Sequence, residues 1–335
     1  MNPLRALLLL CLGLTGLRAG IETQGLPDGA VGLVYISNEA FQRTVFGRAF
    51  DSAFRKEMDA NVELRNLEEK VGIRPRTDIR EAVIGAYASK KPEGDPTVVG
   101  LIRGTFNPAR IEAFARSNKV PATTVGKHLA WDATALGEAI AGQPSGDPDR
   151  KDMVIIAYSK DLLILASKDQ AEAAVAAASG KAPSWAGPTG EVKAALQSVT
   201  TANTWLLLHW DALKLSKAED RAKIEEDGFQ EFSFAIGEDA KNLQLRLSAH
   251  FKDDASTTMA LLQLKLLPTT VDAALTVAAA GKSPAEVAQL EKLSDLIRQI
   301  SFDRTERTIT ARLDYPAQEI GDALRSAIQK AAAGK

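Results

Sequence analysis

His209 and Asp211 in LLLHWD have the types and spacing of a general base and its orienting carboxylate. Residues two apart in a strand share a face, so the carboxylate could hold the imidazole. That reading implies a hydrolase with a dispersed site. The competing reading is a hydrogen-bonded histidine inside a sheet, with Asp211 capping the next helix. A second set is Arg74, Arg76 and Arg80 around Pro75 and Asp78 in VGIRPRTDIREAVIGAY. Three guanidinium groups on one loop can clamp an anion; alternatively, Arg–Asp pairs lock a turn ahead of a strand. Asp147, Asp149 and Asp152 reach the density of a calcium loop. They lack the glycine and closing glutamate of an EF-hand and read as a solvated loop.

Other chemistry is missing from the pattern. There is no G-x-S-x-G, no H-E-x-x-H and no glycine-rich dinucleotide loop after a strand. AAAGKS (278–283) imitates the end of a phosphate loop, but Thr276 stands where its first glycine belongs. His250 and His128 give no reason to converge with His209, so neither a metal site nor a cofactor is expected. With Lys+Arg 41, Asp+Glu 43 and a net charge of −2, no field favours nucleic acid. The 45% hydrophobic and 25% charged composition excludes wholesale disorder.

The N-terminus reads as an address. Arg5 precedes an apolar run from Ala6 to Leu17, followed by Ala19 and Gly20. This is the layout of a secretory signal, and the run is shorter than the roughly 20 residues that span a bilayer. Residues 1–20 are therefore read as a signal peptide, and the protein as exported with no transmembrane anchor left after cleavage. Leu8, Leu9 and Leu10 before Cys11 argue against a lipoprotein. Cleavage removes Arg5, Arg18 and Cys11, so Lys+Arg falls from 41 to 39 against Asp+Glu 43, a net −4 with no cysteine. Thiol catalysis is then excluded.

The remaining chain reads as two similar halves, 21–182 and 191–335, joined by a linker at 183–190 within the Pro/Gly-rich stretch KAPSWAGPTG. Each half runs strand, helix, hairpin, helix, hairpin, helix. In the first, GLVYIS precedes a helix carrying Phe46, Phe50 and Phe54 at four-residue spacing. IREAVIGAYA pairs with TVVGLIRGTF, and MVIIAYS with LLILAS. Asn107-Pro108 starts a helix, and Ser167 with Gln170 suggests a capping box. In the second half, NTWLLLHW opens, FQEFSFAIG pairs with NLQLRLSAHF, and ISFD pairs with TITARLD. Gln244, Arg246, Ser248 and His250 form the wet face of their strand. A long apolar helical region after Asp254 is expected to break at Pro268. The last helix buries Ile320, Leu324 and Ile328. Gly85, Gly100 and Gly104 suggest close approach by a helix. The expected class is α+β, two similar domains, each a mostly antiparallel sheet with helices packed on one face.

The strings GLVYIS, VGIRPRTDIREAVIGAY, VVGLIRGTFNPARIEAFA and LLILASKDQAEAAV resemble families of secreted bacterial proteins of unknown function. The resemblance covers about Gly32 to Ala178, and the second half weakly. It implies an exported α+β protein and supplies no catalytic residues. The functional expectation is a non-catalytic binding or scaffold module of the cell envelope, with an envelope protein or small ligand as partner. The alternatives are the hydrolase at His209 and Asp211 and a carrier of an apolar ligand. A large apolar pocket lined by Phe50, Phe54 or Ile84 would favour the carrier.

Overall fold

The computed structural model describes residues 23–89, 94–143, 152–185, 204–216, 218–279, 284–320 and 322. The first half holds seven strands, β1 (Gly32–Ser37), β2 (Ile79–Tyr87), β3 (Thr97–Gly104), β4 (Ala122–Val125), β5 (His128–Asp132), β6 (Met153–Ala157) and β7 (Leu162–Ser167), of which β1, β2, β3, β6 and β7 come from runs rich in Val, Ile and Leu. The second half adds β8 (Thr204–Asp211), β9 (Phe229–Glu238), β10 (Asn242–Phe251), β11 (Ser301–Thr305) and β12 (Thr308–Pro316). Their order across the sheet is β11-β12-β10-β9-β8-β1-β2-β3-β7-β6-β5-β4, with every pairing antiparallel. The α+β class and the antiparallel pairing agree with the sequence.

The sheet is continuous, which answers a question the two similar halves leave open in the sequence. Its seam is β1 against β8, with Gly32 opposite Trp210 and Ile36 opposite Leu206. Within its own half each of these strands has one neighbour, β2 or β9. The amides and carbonyls of its other edge need partners, and each supplies them to the other. Outward from the seam the order is β1-β2-β3-β7-β6 on one side and β8-β9-β10-β12-β11 on the other, with β5 and β4 extending the first side.

Helices α1 (Asn38–Arg43), α2 (Val45–Ala60) and α3 (Val62–Asn66) follow β1, and the short α4 (Pro75–Asp78) leads into β2. Further along lie α5 (Pro108–Ser117), α6 (Ala133–Ala141), α7 (Ala171–Ala178), α8 (Ala212–Leu215), α9 (Ala218–Asp227), α10 (Asp254–Ala279) and α11 (Pro284–Arg298). The Asn107 side chain accepts the Arg110 amide, as Asn-Pro predicts. The strings Trp131-Asp132-Ala133 and Trp210-Asp211-Ala212 end their strands by one device. Asp132 accepts the Thr134 and Ala135 amides, and Asp211 accepts the Lys214 amide. Ser167 makes no cap; its hydroxyl accepts the Val98 amide at 3.0 Å.

The structure corrects the expectation of helices on one face. Leu101 and Ile164 pack with Ala171 and Ala174 of α7, whereas Ile102 and Leu163 pack with Ile111 of α5 and Leu136 of α6. Neighbouring strand residues point to opposite faces, so both faces of β3 and β7 are covered. Strands apolar on both sides require this. Pro268 does not break its helix either: α10 runs unbroken from Asp254 to Ala279.

Of the expected linker, Ser184 and Trp185 are packed against the N-terminal segment. The Trp185 amide donates to the Leu26 carbonyl at 2.7 Å, and the indole joins the main core. Residues 186–190 lie outside the described residues, as do residues 1–20, which the sequence reading takes as a signal peptide, and Asp147, Asp149, Leu324 and Ile328. Of the three glycines, Gly104 shows the backbone approach: a Cβ there would stand 2.0 Å from the Asp78 carbonyl oxygen at the end of α4. Tyr87, buried in β2, donates its hydroxyl to the Pro27 carbonyl at 2.9 Å. Burial raises its pKa, so it stays protonated. Y87F should lower unfolding free energy by about 1 kcal/mol, read as a shift in urea midpoint at unchanged slope.

Candidate functional site

Two places gather the polar residues singled out by the sequence. The first is an open cleft of about 720 Å³ between α2, α3 and the turn at α4. Arg74 and Arg76 line it; Arg80, exposed at the β-bulge that starts β2, does not. Arg55 and Arg65 line it too, and sequence reasoning missed both because they come from helices with no motif around them.

The turn is held by its own aspartate. The Asp78 carboxylate accepts the Arg74 amide at 2.8 Å, the Arg74 guanidinium at 3.1 Å and the Thr77 hydroxyl at 2.9 Å. Burial pushes the Asp78 carboxyl up, and the Arg74 amide and guanidinium with the Thr77 hydroxyl outweigh it, holding the group below its usual range. Arg76 crosses to α2, where Asp51 takes both its guanidinium and that of Arg55, the latter at 2.7 Å. The locked-turn reading is therefore physically present. It also leaves cations aimed outward, because Arg74 keeps 60% of its side chain exposed while Asp78 fixes its orientation. Asp59 and Glu68 on the same walls make the cleft mixed in sign rather than purely basic.

The second place is one face of the sheet in the second half. Residues opposite each other in an antiparallel pair share a face. His209 faces Ser233, Ser233 faces Ser248, and Ser248 faces Thr310. One row along, Asp211 faces Glu231, Glu231 faces His250, and His250 faces Thr308. The sheet thus brings His209 and His250 to the same face, a convergence that no local pattern marks. The supposed wet face of β10 is also drier than expected, since Ser248 and His250 are both buried.

His209 is 4% exposed and its Nδ1 lies 3.1 Å from the Ser233 hydroxyl. Burial pushes its pKa down to about 4 against the smaller upward pull of Asp211, so the imidazole is neutral at pH 7. Asp211 caps α8 and pairs with Lys214 at 2.7 Å. The cleft described above is not lined by His209 or Asp211. Among the described residues, no three His, Cys, Asp or Glu side chains are grouped to hold a metal ion.

Two of the residues named for an apolar carrier, Phe50 and Phe54, pack against each other, while Ile84 stands on β2 opposite Val34 and Gly100. Phe50 and Phe54 have ring centroids 4.5 Å apart, and Phe41 lies 4.8 Å from Trp205 across the seam between halves.

No family model and no curated protein matches the chain. Among solved structures it is similar to TP0453 in several crystal forms. Form III aligns with a TM-score of 0.44 at 9% identity over 92% of this chain and 100% of that one. Form I aligns at 0.42 and 8% over 93% and 99%, and form IV at 0.43 and 9% over 92% and 98%. This likeness is too distant to bear on function.

Proposed function

We propose that the protein is an exported, non-catalytic binding module of the cell envelope that takes an anionic ligand in the arginine-rich cleft. Signal-like residues 1–20 and the repeated plan of 21–182 and 191–335 belong to that reading. The observation that carries it is Arg74. Its guanidinium is fixed by Asp78, remains 60% exposed and sits in one cleft with Arg55, Arg65 and Arg76. A cation already held in place loses little freedom on binding, and the planar fork suits carboxylate or phosphate oxygens. The acidic walls select against bulk polyanions and favour a small ligand with separated charges.

Inorganic pyrophosphate and citrate serve as probes in titration calorimetry. R74Q should weaken binding about tenfold or more, the loss of one charge-assisted hydrogen-bonding group. Equal affinity in wild type and R74Q, or no heat from either probe, would refute the cleft as the binding site.

A further inference from the structure

The longest helix carries a surface that nothing in the cleft uses. α10 is 26 residues, about 39 Å at 1.5 Å per residue. One side is anchored. Ala260, Leu261 and Leu264 pack on Phe229, Phe251 and Ile309 of the sheet, and Asp272 takes Ser294 and Arg298 from α11. On the other side Met259 is 62% exposed, Leu266 62% and Val277 77%, with Leu262 and Leu267 also open. The stretch Asp254–Val277 is long and apolar enough, by length and composition, to cross a membrane, yet none of its apolar window is buried.

We propose that this side of α10 lies flat on a phospholipid bilayer, with its apolar residues in the headgroup–acyl boundary. Three observations select a lipid surface over a protein partner. At 100° per residue, the exposed positions from Thr258 to Val277 cover an arc of about 200°. A partner helix covers a stripe nearer 100° wide, so it would leave half of this arc in water. A bilayer covers the whole arc. The arc also contains a single charge, Lys265 at its rim, where a long stem lets the ammonium reach headgroups. Finally, three of the four exposed threonines on this arc have their hydroxyls satisfied within the helix. Thr258, Thr270 and Thr276 donate their hydroxyls to the carbonyls of Asp254, Leu266 and Asp272, four residues back, at 2.7, 3.1 and 2.8 Å. Hydroxyls satisfied within the helix can enter a low-dielectric layer without an orphan donor. The anchored side, tied to the sheet and to α11, keeps the helix parallel to the surface rather than across it.

The test is flotation of the full chain with vesicles of phosphatidylcholine, with and without phosphatidylglycerol. L262E/L266E alters exposed positions only, and its circular dichroism should match wild type. Wild type should float, and the double variant should lose about tenfold or more of its partitioning. Both carry the same N-terminus, so the difference reads α10. R74Q should float like wild type, which separates this surface from the cleft. As a second readout, a dye on L266C in a Cys11→Ser background should shift its emission to the blue on vesicles. Wild type remaining unfloated, the double variant floating equally, or an unshifted dye would each overturn the proposal. So would a wild-type dimer in gel filtration that L262E/L266E converts to monomer, because a second copy would then be the occupant.

Discussion

E238A is expected to lower unfolding free energy by about 2–3 kcal/mol, among the largest losses from any single side chain outside the apolar core. Glu238 ends β9 in the second half of the chain, is 4% exposed, and sends its carboxylate to the start of α2 in the first half. Its two oxygens accept the amides of Val45 and Phe46. Thr44 accepts the next amide, that of Gly47, at 2.7 Å. These amides have no partner inside the helix, and the helix dipole adds positive potential at the same place. Alanine removes the acceptor of two amides at a buried position. E238Q keeps an acceptor and loses the charge, so it should fall between alanine and wild type. Urea denaturation followed by both circular dichroism and tryptophan emission checks this. A loss below about 0.5 kcal/mol for E238A would contradict the assignment. Because the contact joins the two halves, the variant should also be the one in which the two probes cease to coincide.

Acid should destabilise the fold through His209. In the unfolded chain this group titrates near its ordinary 6.5, and in the folded chain burial holds it at about 4. Between those values the unfolded state carries a proton that the folded state refuses, so stability falls as pH drops through this window. The contribution is fully present above pH 6.5. By pH 4 it has declined by about 3 kcal/mol, at about 1.4 kcal/mol per pH unit. H209Q removes the titrating group and leaves an amide that can still reach Ser233. Its unfolding free energy should therefore change less than that of wild type between pH 7 and pH 4. Parallel pH profiles for the two proteins would show that His209 is not the acid-sensitive group. Loss of the Ser233 partner in S233A should lower stability without removing the slope, because burial rather than the hydroxyl sets the shift.

Much of the local structure was legible. Alternation in NLQLRLSAHF marked β10, and Asn107-Pro108 marked the start of α5, because both signals act within a few residues. The runs MVIIAYS and LLILAS are apolar on both faces, the pattern of strands covered on each side, and β6 and β7 are so covered. Pro268 misled because a proline costs a helix one hydrogen bond and some steric strain locally, and that cost cannot be weighed against the packing of Ala260, Leu261 and Leu264 from sequence alone. Ser167 misled in the same way: the Val98 amide across the sheet competed for its hydroxyl and won. In the candidate cleft, Arg74 and Arg76 could be read from the turn, whereas Arg55 and Arg65 arrive from α2 and α3 and carry no local mark.

The amino-acid sequence by itself determined which segments become strands and helices, that the strands pair antiparallel, and that the turn at Pro75 presents guanidinium groups. Those outcomes follow from periodicity, caps and turn residues, whose energies are spent among near neighbours. Only the tertiary structure decided that the halves share one sheet, that Glu238 caps a helix nearly 200 residues away, that His209 is neutral inside the sheet, and that one side of α10 stays exposed among the described residues. Each of these depends on which edges and faces remain unsatisfied after local folding. That remainder is settled by contacts between residues far apart in the chain.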